Sequence, residues 1–474
     1  MKILFVEDND DFASDLQPNL EQIAHVHILR AKDKVTALGL LADQLVDLVI
    51  LDLSIPPEPH SDKDAPEHGQ DLFYRAQDLR PNTPIFVLTG SVVHAFSRSL
   101  AKVGNQVKLW GGPTLVPTVT FFPKEEAPDL VAAVQTLAAN FAEMEVVEVN
   151  TRGKNLGLSD IQARMLRTFT RNAGGESCDV ALLSGGLSDA KVVKTTVFDR
   201  NRKPQGVYAG KLGSRQITAA EASAYQQHVR KLGVGACPNL VYQVEHGVGQ
   251  FGAIFYTLTD QDTVSFFDKL TVQPDVGANV VRGTRQALHR WSEAATADRV
   301  SIARIRSRLL DDATAAELET KFDLGELRKI ETRQIAAAQS CIHGDLHCGN
   351  ILVDSNADPV VIDFGEVAPG FTALDPIALE LSLVFHPDSL GFPDRDALIS
   401  RLGSWWDVDV YSEKSDLQPM IVACREWVHD QSGGDLASLA CAYAYAMRQL
   451  NYETVPTEAT LTLLKHLVGT INSL

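Results

Sequence analysis

The chain has 474 residues, 22% of them charged and 45% hydrophobic, which is typical of globular proteins and long enough for roughly two to four domains. Sixty-one acidic residues against forty-three basic ones give a net charge of −18. Because such a chain is repelled by phosphate backbones, we expect no nucleic-acid partner. No apolar run approaches the ~20 residues of a membrane span, so we expect no membrane contact.

The first residues and the cysteines indicate the cellular compartment. The start, MKILFVEDND, turns acidic after a short apolar run, unlike a signal peptide. The six cysteines show no paired spacing, which fits a reducing environment. The sequence therefore predicts a cytoplasmic protein.

Residues 1–123 alternate short apolar runs with helical patterns. The runs lie at 3–6, 46–53, 83–89 and 119–122, and a closing helix is predicted from 127 to about 145. Continuous apolar strands separated by helices indicate a parallel sheet covered on both faces. We therefore predict a doubly wound α/β domain.

Acidic and polar residues follow these predicted strands. Glu7 and Asp8 end the first strand, Asp52 lies near the end of a central one, Thr89 ends the next, and Lys124 follows the last. The carboxyl ends of parallel strands meet at one edge of the sheet, so these side chains should converge. Clustered carboxylates are the oxygen ligands that Mg²⁺ prefers, and a carboxylate beside magnesium and lysine can accept a phosphoryl group.

Residues 1 to about 145 resemble a response-regulator receiver domain, a five-stranded flavodoxin-like fold. The matching motifs are VEDND at 6–10, VILDLSIP at 49–56, VLTGS at 87–91 and FFPK at 121–124. The resemblance implies these roles: Glu7 and Asp8 as magnesium acids, Asp52 as phosphoacceptor and ligand, the Ser54 carbonyl as a further ligand, Thr89 as switch hydroxyl, Phe121 as switch aromatic and Lys124 as charge partner. It also implies a histidine kinase or a small phosphodonor as partner.

The chain departs from the receiver pattern in its loops. The segment PPEPHSDKDAPEHGQ after Asp52 is longer than usual, and extra chain that includes KLWGGPTLVP separates Thr89 from Lys124. Pro123 precedes the lysine, whereas the family's proline follows it. These loops lie where partners would dock, so they bear on partner identity more than on the chemistry.

A second constellation lies in CIHGDLHCGNILVDSNADPVVIDFGEV, from residue 341 onward. Asp345, Asn350 and Asp363 have the spacing of a phosphotransfer site, in which the first aspartate accepts a proton and the other two residues hold magnesium on ATP. The motifs H-G-D-x-x-x-x-N and I-D-F-G resemble the aminoglycoside phosphotransferase and choline kinase branch of the kinase fold. Runs at 351–353 and 360–362 should form the hairpin that presents Asp363.

That resemblance implies a nucleotide-binding lobe upstream. ALLSGGLSDAKVVKTTVF at 181–198 gives a strand, a glycine turn with Gly185 and Gly186, and a second strand, which would cover phosphates with backbone amides. Lys211 would contact the ATP phosphates, Glu221 would pair with it from a helix, and 252–260 resembles the hinge strand. The predicted domains are 1–145 (receiver), 146–174 (linker and helix), 175–260 (small lobe of an α+β bilobal kinase-like domain) and 261–474 (helical large lobe).

The predicted kinase-like domain shows features of a small-molecule kinase. Gly344 stands where loop-regulated protein kinases have arginine, and only a short segment separates D-F-G from a helix near Asp375. The phosphate acceptor, a small molecule or a protein, is not identified. Cys341, His343, His347 and Cys348 cluster, but no second ligand pair accompanies them, so we expect no zinc there. Arg299, Arg304, Arg306 and Arg308 are expected on a solvated helix face.

The sequence therefore predicts a signalling response regulator whose phosphorylation controls an ATP- and magnesium-dependent phosphotransferase. The alternative is a nucleotide-binding or inactive kinase-like scaffold whose receiver controls partner assembly. A DNA-binding response regulator is disfavoured, because the arginine-bearing helix at 159–172 is followed by β structure rather than by a recognition helix.

Overall fold

The computed structural model describes residues 1–61, 63–90, 105–184, 190–233, 237–258 and 263–474. Internal contacts group them into two compact units. Unit 1 comprises Met1–Ala219 and Leu240–Thr257, and unit 2 comprises Ala220–Asn239 and Leu258–Leu474. The finer division at residues 145, 174 and 260 remains a prediction.

The first part of unit 1 is a doubly wound α/β fold. Its strands are β1 (Lys2–Val6), β2 (His27–Ala31), β3 (Leu48–Asp52), β4 (Ile85–Thr89), β5 (Gln106–Lys108), β6 (Leu115–Pro117) and β7 (Val119–Pro123). Its helices are α1 (Asp10–Glu21), α2 (Lys34–Asp43), α3 (Pro66–Leu79) and α4 (Ala127–Glu145). Five parallel strands form a sheet in the order β2-β1-β3-β4-β7, and β5 and β6 form a separate hairpin. This is the flavodoxin-like strand order, so the predicted receiver fold is confirmed.

Alternating residues of each strand pack on opposite faces of this sheet, as pleating requires. Ile3 and Phe5 of β1 belong to the core formed with α1 and α4, whereas Leu4 and Val6 belong to the core formed with α2 and α3. All four side chains are fully buried. Burial on both faces explains why these strands read as continuous apolar runs.

The rest of unit 1 is built on a second sheet. Its strands are β8 (Glu148–Asn150), β9 (Ser177–Ser184), β10 (Lys191–Phe198), β11 (Pro204–Ser214), β12 (Leu240–Val244) and β13 (Phe251–Leu258), in the order β12-β13-β11-β10-β9-β8. Helix α5 (Asp160–Asn172) begins with a capping box of Ser159 and Gln162 and stacks Phe169 on Phe255 with ring centroids 3.7 Å apart. Helix α6 (Arg215–Gln227) follows β11 and crosses the boundary between the units.

Unit 2 is mainly helical. Its strands are β14 (Val264–Ser265), β15 (Thr296–Ser301), β16 (Gln334–Ile342), β17 (Ile351–Val353), β18 (Pro359–Val361) and β19 (Ala368–Phe371), in two sheets ordered β14-β17-β18 and β15-β16-β19. Its remaining helices are α7 (Phe266–Val272), α8 (Gly277–Ser292), α9 (Ile302–Arg306), α10 (Asp312–Phe322), α11 (Gly325–Arg328), α12 (Leu374–Phe385), α13 (Arg395–Ser400), α14 (Val408–Tyr411), α15 (Gln418–Gln431), α16 (Asp435–Gln449) and α17 (Thr457–Ser473). This α+β part agrees with the predicted kinase-like fold class.

One expectation about unit 2 is wrong. Arg306 does not lie on a solvated face: it is 1% exposed, and its guanidinium donates to both carboxylate oxygens of Glu331. Glu331 also accepts hydrogen bonds from Arg328 and from the hydroxyl of Tyr443. Burial alone would raise the pKa of Glu331, but these arginines outweigh burial and hold that pKa below its usual value. Arg306 therefore contributes to the core, which charge spacing alone could not reveal, whereas Arg299 and Arg304 are exposed as expected.

In the described ranges, no helix has the length and apolar composition needed to cross a bilayer.

Candidate active sites

The predicted acidic cluster forms at the carboxyl edge of the five-stranded sheet. One ligand atom each from Glu7, Asp8 and Asp52 lies within 4.8 Å of the others. The Nζ of Lys124 is 2.8 Å from Glu7 Oε2 and 2.8 Å from Asp52 Oδ2. The parallel pairing of β1 with β3 brings the acids together, and β7 ends immediately before the lysine.

The electrostatics of this cluster fit a divalent cation. Burial raises the pKa of Glu7, which is fully buried, and also that of Asp8, with Asp52 contributing to both increases. Burial alone would lower the pKa of Lys124, but its bonds to Asp52 and Glu7 raise it. Hard oxygen ligands and excess negative charge are the conditions under which proteins hold Mg²⁺.

The other predicted receiver residues lie on the same sheet or in the loop after Asp52. Ser54 donates its backbone N–H to Asp52 Oδ1 at 3.3 Å, and its hydroxyl donates to Asp64 Oδ2 at 3.4 Å. Thr89 ends β4, where it aligns with the last residue of β7. Phe121 is half-buried against the core on the α2 and α3 face. Asp64 belongs to the long loop after Asp52, and sequence reasoning gave it no role.

In unit 2, two of the predicted phosphotransfer residues, Asp345 and Asn350, lie in the loop between β16 and β17. Asn350 donates its side-chain amide to the backbone carbonyl of Asp345 at 2.8 Å, and its own carbonyl accepts from Ile362 N at 2.9 Å. Strands β17 and β18 form the predicted antiparallel hairpin, with Ile351 opposite Val361. The structure thus brings Asp345 and Asn350 together and connects them to the strand end that precedes Asp363.

Asp375 supports this loop, a role that the sequence did not reveal. Its two carboxylate oxygens accept the backbone N–H groups of His343 at 2.7 Å and Gly344 at 2.9 Å. The imidazole Nε2 of His343 donates to the carbonyl of Ile362 at 3.0 Å, so this histidine links the loop to the residue before Asp363. Gly344 has a φ of +84°, and a Cβ there would meet Glu366 O at 2.5 Å. A residue with a Cβ would therefore be strained and would clash at this position.

The segment after Asp363 is short and ordered. Asp363 itself has a φ of +63°, and Phe364 donates its backbone N–H to Glu221 Oε1 at 3.2 Å. Strand β19 then pairs with β16, placing Ala368 opposite Ile342. Helix α12 begins at Leu374, so the segment between the D-F-G motif and this helix is short, and Glu221 contacts the D-F-G motif directly.

The predicted nucleotide lobe is seen in part. Strands β9 and β10 are antiparallel, as expected for the arms of a glycine turn, but Gly185 and Gly186 lie outside the described residues. Lys211 lies on β11 opposite Val192 and is 7% exposed. The predicted pairing of Lys211 with Glu221 remains a prediction.

Arg448 is a residue of this region that no motif indicated. It lies near the end of α16, and its Nη2 donates to Asp345 Oδ1 at 2.9 Å. Its Nε donates to the hydroxyl of Tyr452 at 3.1 Å. Burial alone would raise the pKa of Asp345, but His347 and Arg448 together hold it below its usual value. Burial lowers the pKa of His347 to about 4, although the Asp345 charge opposes that change.

Within unit 1, the two sheets are joined by polar contacts. Arg164 of α5 donates to Asp47 Oδ1 at 2.6 Å and to the carbonyl of Gly247 at 3.3 Å. Gln250 donates to the carbonyls of Asp78 and Leu79 at the end of α3. The receiver-like fold is therefore attached directly to the six-stranded sheet.

A further contact reaches helix α6, which carries Glu221. With the Asn82 amide oriented so that both of its ends are satisfied, its oxygen accepts from Arg215 at 2.8 Å and from His246 at 3.1 Å. Arg215 is the first residue of α6, and Asn82 lies in the loop before β4.

Comparisons with known proteins found one matching family model and several similar solved structures. Residues 201–409 match the phosphotransferase enzyme family, APH. No curated protein sequence matches the chain. Similar solved structures include a CheY-like response regulator receiver domain protein from Methanospirillum hungatei JF-1, with 18% identity, 30% of this chain and 97% of that chain covered, and a TM-score of 0.23.

Two further solved structures are similar to the later part of the chain. Aminoglycoside-3'-phosphotransferase of type VIII has 16% identity, with 53% of this chain and 93% of that chain covered and a TM-score of 0.32. A glucosamine kinase has 14% identity, with 62% and 91% covered and a TM-score of 0.30. The chain therefore combines a receiver-like fold, shown by its strand order, with a region at residues 201–409 that matches the phosphotransferase enzyme family.

Proposed function

We propose that this protein is a cytoplasmic response regulator in which phosphorylation of Asp52 controls an ATP-dependent phosphotransferase. The observation that carries the proposal is Lys124, held at 2.8 Å from both Glu7 and Asp52 beside Asp8. This arrangement supplies a nucleophilic carboxylate, a fixed cation and a set of oxygen ligands at one sheet edge. A histidine kinase or a small phosphodonor would supply the phosphoryl group.

Each residue of the receiver site has a defined part in this proposal. Glu7, Asp8, Asp52 and the Ser54 carbonyl would hold Mg²⁺, which when bound offsets the charge on the transferring phosphoryl group. Asp52 Oδ attacks phosphorus, the bond from phosphorus to the donor breaks, and Lys124 stabilises the added charge. Thr89 and Phe121 would then respond to the new phosphoryl oxygens.

In the output region, Asp345 would orient the acceptor hydroxyl and take its proton, while Asn350 and Asp363 would hold magnesium on ATP. Lys211 and Glu221 would position the α- and β-phosphates, with Gly185 and Gly186 covering them. Support comes from the bonds that fix this loop, namely Asn350 to Asp345 and Asp375 to the two residues before Asp345.

In unit 1, a contact connects the receiver-like fold, which carries Asp52, to the start of the helix that carries Glu221. Asn82 of the receiver-like fold contacts Arg215, the first residue of the helix that carries Glu221. A change in the receiver that alters this contact would shift the helix that carries a nucleotide-site residue. Couplings of this kind are typically about 1–3 kcal/mol, or roughly 5–150-fold.

The test has two parts. Acetyl phosphate with magnesium should label wild-type protein and the control D64N, which lacks a neighbouring carboxylate, but not D52N. ATP consumption should then change on labelling in wild type and stay constant in D52N. Labelling that survives in D52N would contradict the receiver assignment, and ATP binding without turnover on any acceptor would favour the scaffold alternative.

A further inference from the structure

The carboxylate of the candidate acceptor site is already paired with a cation. Arg448 Nη2 lies 2.9 Å from Asp345 Oδ1, and Tyr452 fixes the guanidinium by accepting from its Nε. In the described part of the chain, no hydrogen bond occupies Arg448 Nη1. The side chains of Arg448 and Asp345 remain 22% and 34% exposed, so both can reach a bound ligand.

The other oxygen of Asp345 is the position left for an acceptor hydroxyl. Asp345 Oδ2 is 3.7 Å from the Nε2 of His347, which is longer than a hydrogen bond. His347 packs against His386 with ring centroids 4.5 Å apart. Arg448, which stays protonated at any ordinary pH, is therefore the cation bonded to Asp345 beside the hydroxyl position.

We propose that the phosphate acceptor is an alcohol that carries an oxyanion, a carboxylate or a phosphate, close to the reacting hydroxyl, and that Arg448 binds this oxyanion. The proposal rests on the proposed phosphotransferase function and names its substrate class. A hydroxyl at about 2.7 Å from Asp345 Oδ2 lies beside the guanidinium, so the oxyanion belongs about two or three bonds away from it. The planar guanidinium suits carboxylate and phosphate alike because it presents paired donors.

The same geometry disfavours cationic acceptors. An ammonium group close to the reacting hydroxyl would face Arg448, and like charges at short range repel. Asp345 cannot compensate for that repulsion, because its charge is already opposed by Arg448 at 2.9 Å. Similarity to an aminoglycoside phosphotransferase and to a glucosamine kinase therefore does not extend to amine recognition in this chain.

The experiment uses two scaffolds that differ only in charge. The first set is glucose, glucosamine, glucuronate and glucose 6-phosphate, and the second is glycerol, 3-aminopropane-1,2-diol, glycerate and glycerol 3-phosphate. Calorimetry measures the binding of each compound to the full chain, with and without a non-hydrolysable ATP analogue and magnesium. The variants are R448Q, R448K, Y452F and, as a matched control, R282Q, which removes an exposed arginine of α8 that pairs with Glu426.

The expected result is that at least one oxyanion compound binds more tightly than its neutral and amine counterparts. R448Q should weaken that binding about 10- to 100-fold, as expected for the loss of a charge-assisted hydrogen bond, and should leave the neutral compound unchanged. R448K should retain part of the affinity, Y452F should lose less than R448Q, and R282Q should match wild type. The carboxylate and phosphate arms identify which oxyanion is preferred.

Two results would overturn the proposal: amines that bind more tightly than oxyanions, or no oxyanion whose affinity depends on Arg448. ADP release, measured with the same compounds, separates this proposal from the proposed function. Oxyanion binding through Arg448 without ADP release would refute the phosphotransferase and leave the anion site standing. ADP release with an amine acceptor in preference to the oxyanions would refute the oxyanion proposal and leave the phosphotransferase function standing.

Discussion

Replacing Arg164 with glutamine should loosen the attachment of the receiver-like fold to the six-stranded sheet. Arg164 is the cation of Asp47, whose side chain is 2% exposed, and it also donates to the Gly247 carbonyl. Removing one partner of a buried ion pair typically costs about 3–5 kcal/mol, because a charge stays buried without compensation. Asp47 still accepts the backbone N–H of Lys2 at 2.7 Å, so we expect the lower end, about 3 kcal/mol.

Hydrogen exchange of the α5 amides measures this loss of stability in the helix that carries Arg164. A loss of about 3 kcal/mol in the free energy of opening should speed exchange of the slowest amides of α5 roughly 100-fold. The double variant D47N/R164Q should exchange more slowly than R164Q, because no carboxylate is then left buried without its cation. If α5 exchanges at the wild-type rate in R164Q, the ion pair does not hold the two sheets together.

The same variant tests the coupling. In R164Q, acetyl phosphate should still label Asp52, because the site lies at the opposite edge of the sheet, but labelling should change ATP consumption less than in wild type. Equal regulation in R164Q and wild type would show that the signal does not pass through this attachment.

Three further predictions concern unit 2 and the nucleotide site. K211A should weaken nucleotide binding because a cation facing the phosphates is lost, and D363A should remove the magnesium-dependent part of that binding; titration of a fluorescent ATP analogue with and without magnesium checks both. D345N should lower turnover about 10²–10⁴-fold and leave ATP affinity nearly unchanged, because proton acceptance develops only towards the transition state. The lowered pKa of Glu331 predicts a stabilisation that is present above the usual glutamate pKa and is lost as the pH falls through the folded-state pKa. Thermal midpoints of wild type and E331Q should therefore differ most near pH 7 and converge towards pH 3.

Much of the fold follows from apolar patterning. The runs at 3–6, 83–89 and 119–122 correspond to β1, β4 and β7, because strands buried on both faces are continuously apolar. The edge strand β2 was missed, since His27–Ala31 is only partly buried and carries polar residues. The β5 and β6 hairpin was also missed, because each of its strands is only three residues long.

Some residues of the candidate sites could be predicted from the sequence, and others could not. Local motifs predicted Asp52, Asp345 and Asp363, because the chemistry needs these residue types at short, fixed spacing. Asp375 and Arg448 were missed because they contact the loop of Gly344 and Asp345 from 31 and 103 residues away in sequence. Only the packing of α12 and α16 against that loop identifies them.

The geometry of unit 1 also constrains how a phosphoryl signal would travel. Asp47 and Asn82 precede β3 and β4, so the contacts with Arg164 and Arg215 lie at the amino edge of the parallel sheet. Asp52 ends β3 at the carboxyl edge, about 15 Å away along the strand. A phosphodonor could therefore reach Asp52 while these contacts persist, and neither of these two contacts touches Asp52. Under the proposed function, the signal would pass through the packed body of the receiver-like fold to reach them, so weakening the amino-edge contacts should reduce coupling without preventing phosphorylation.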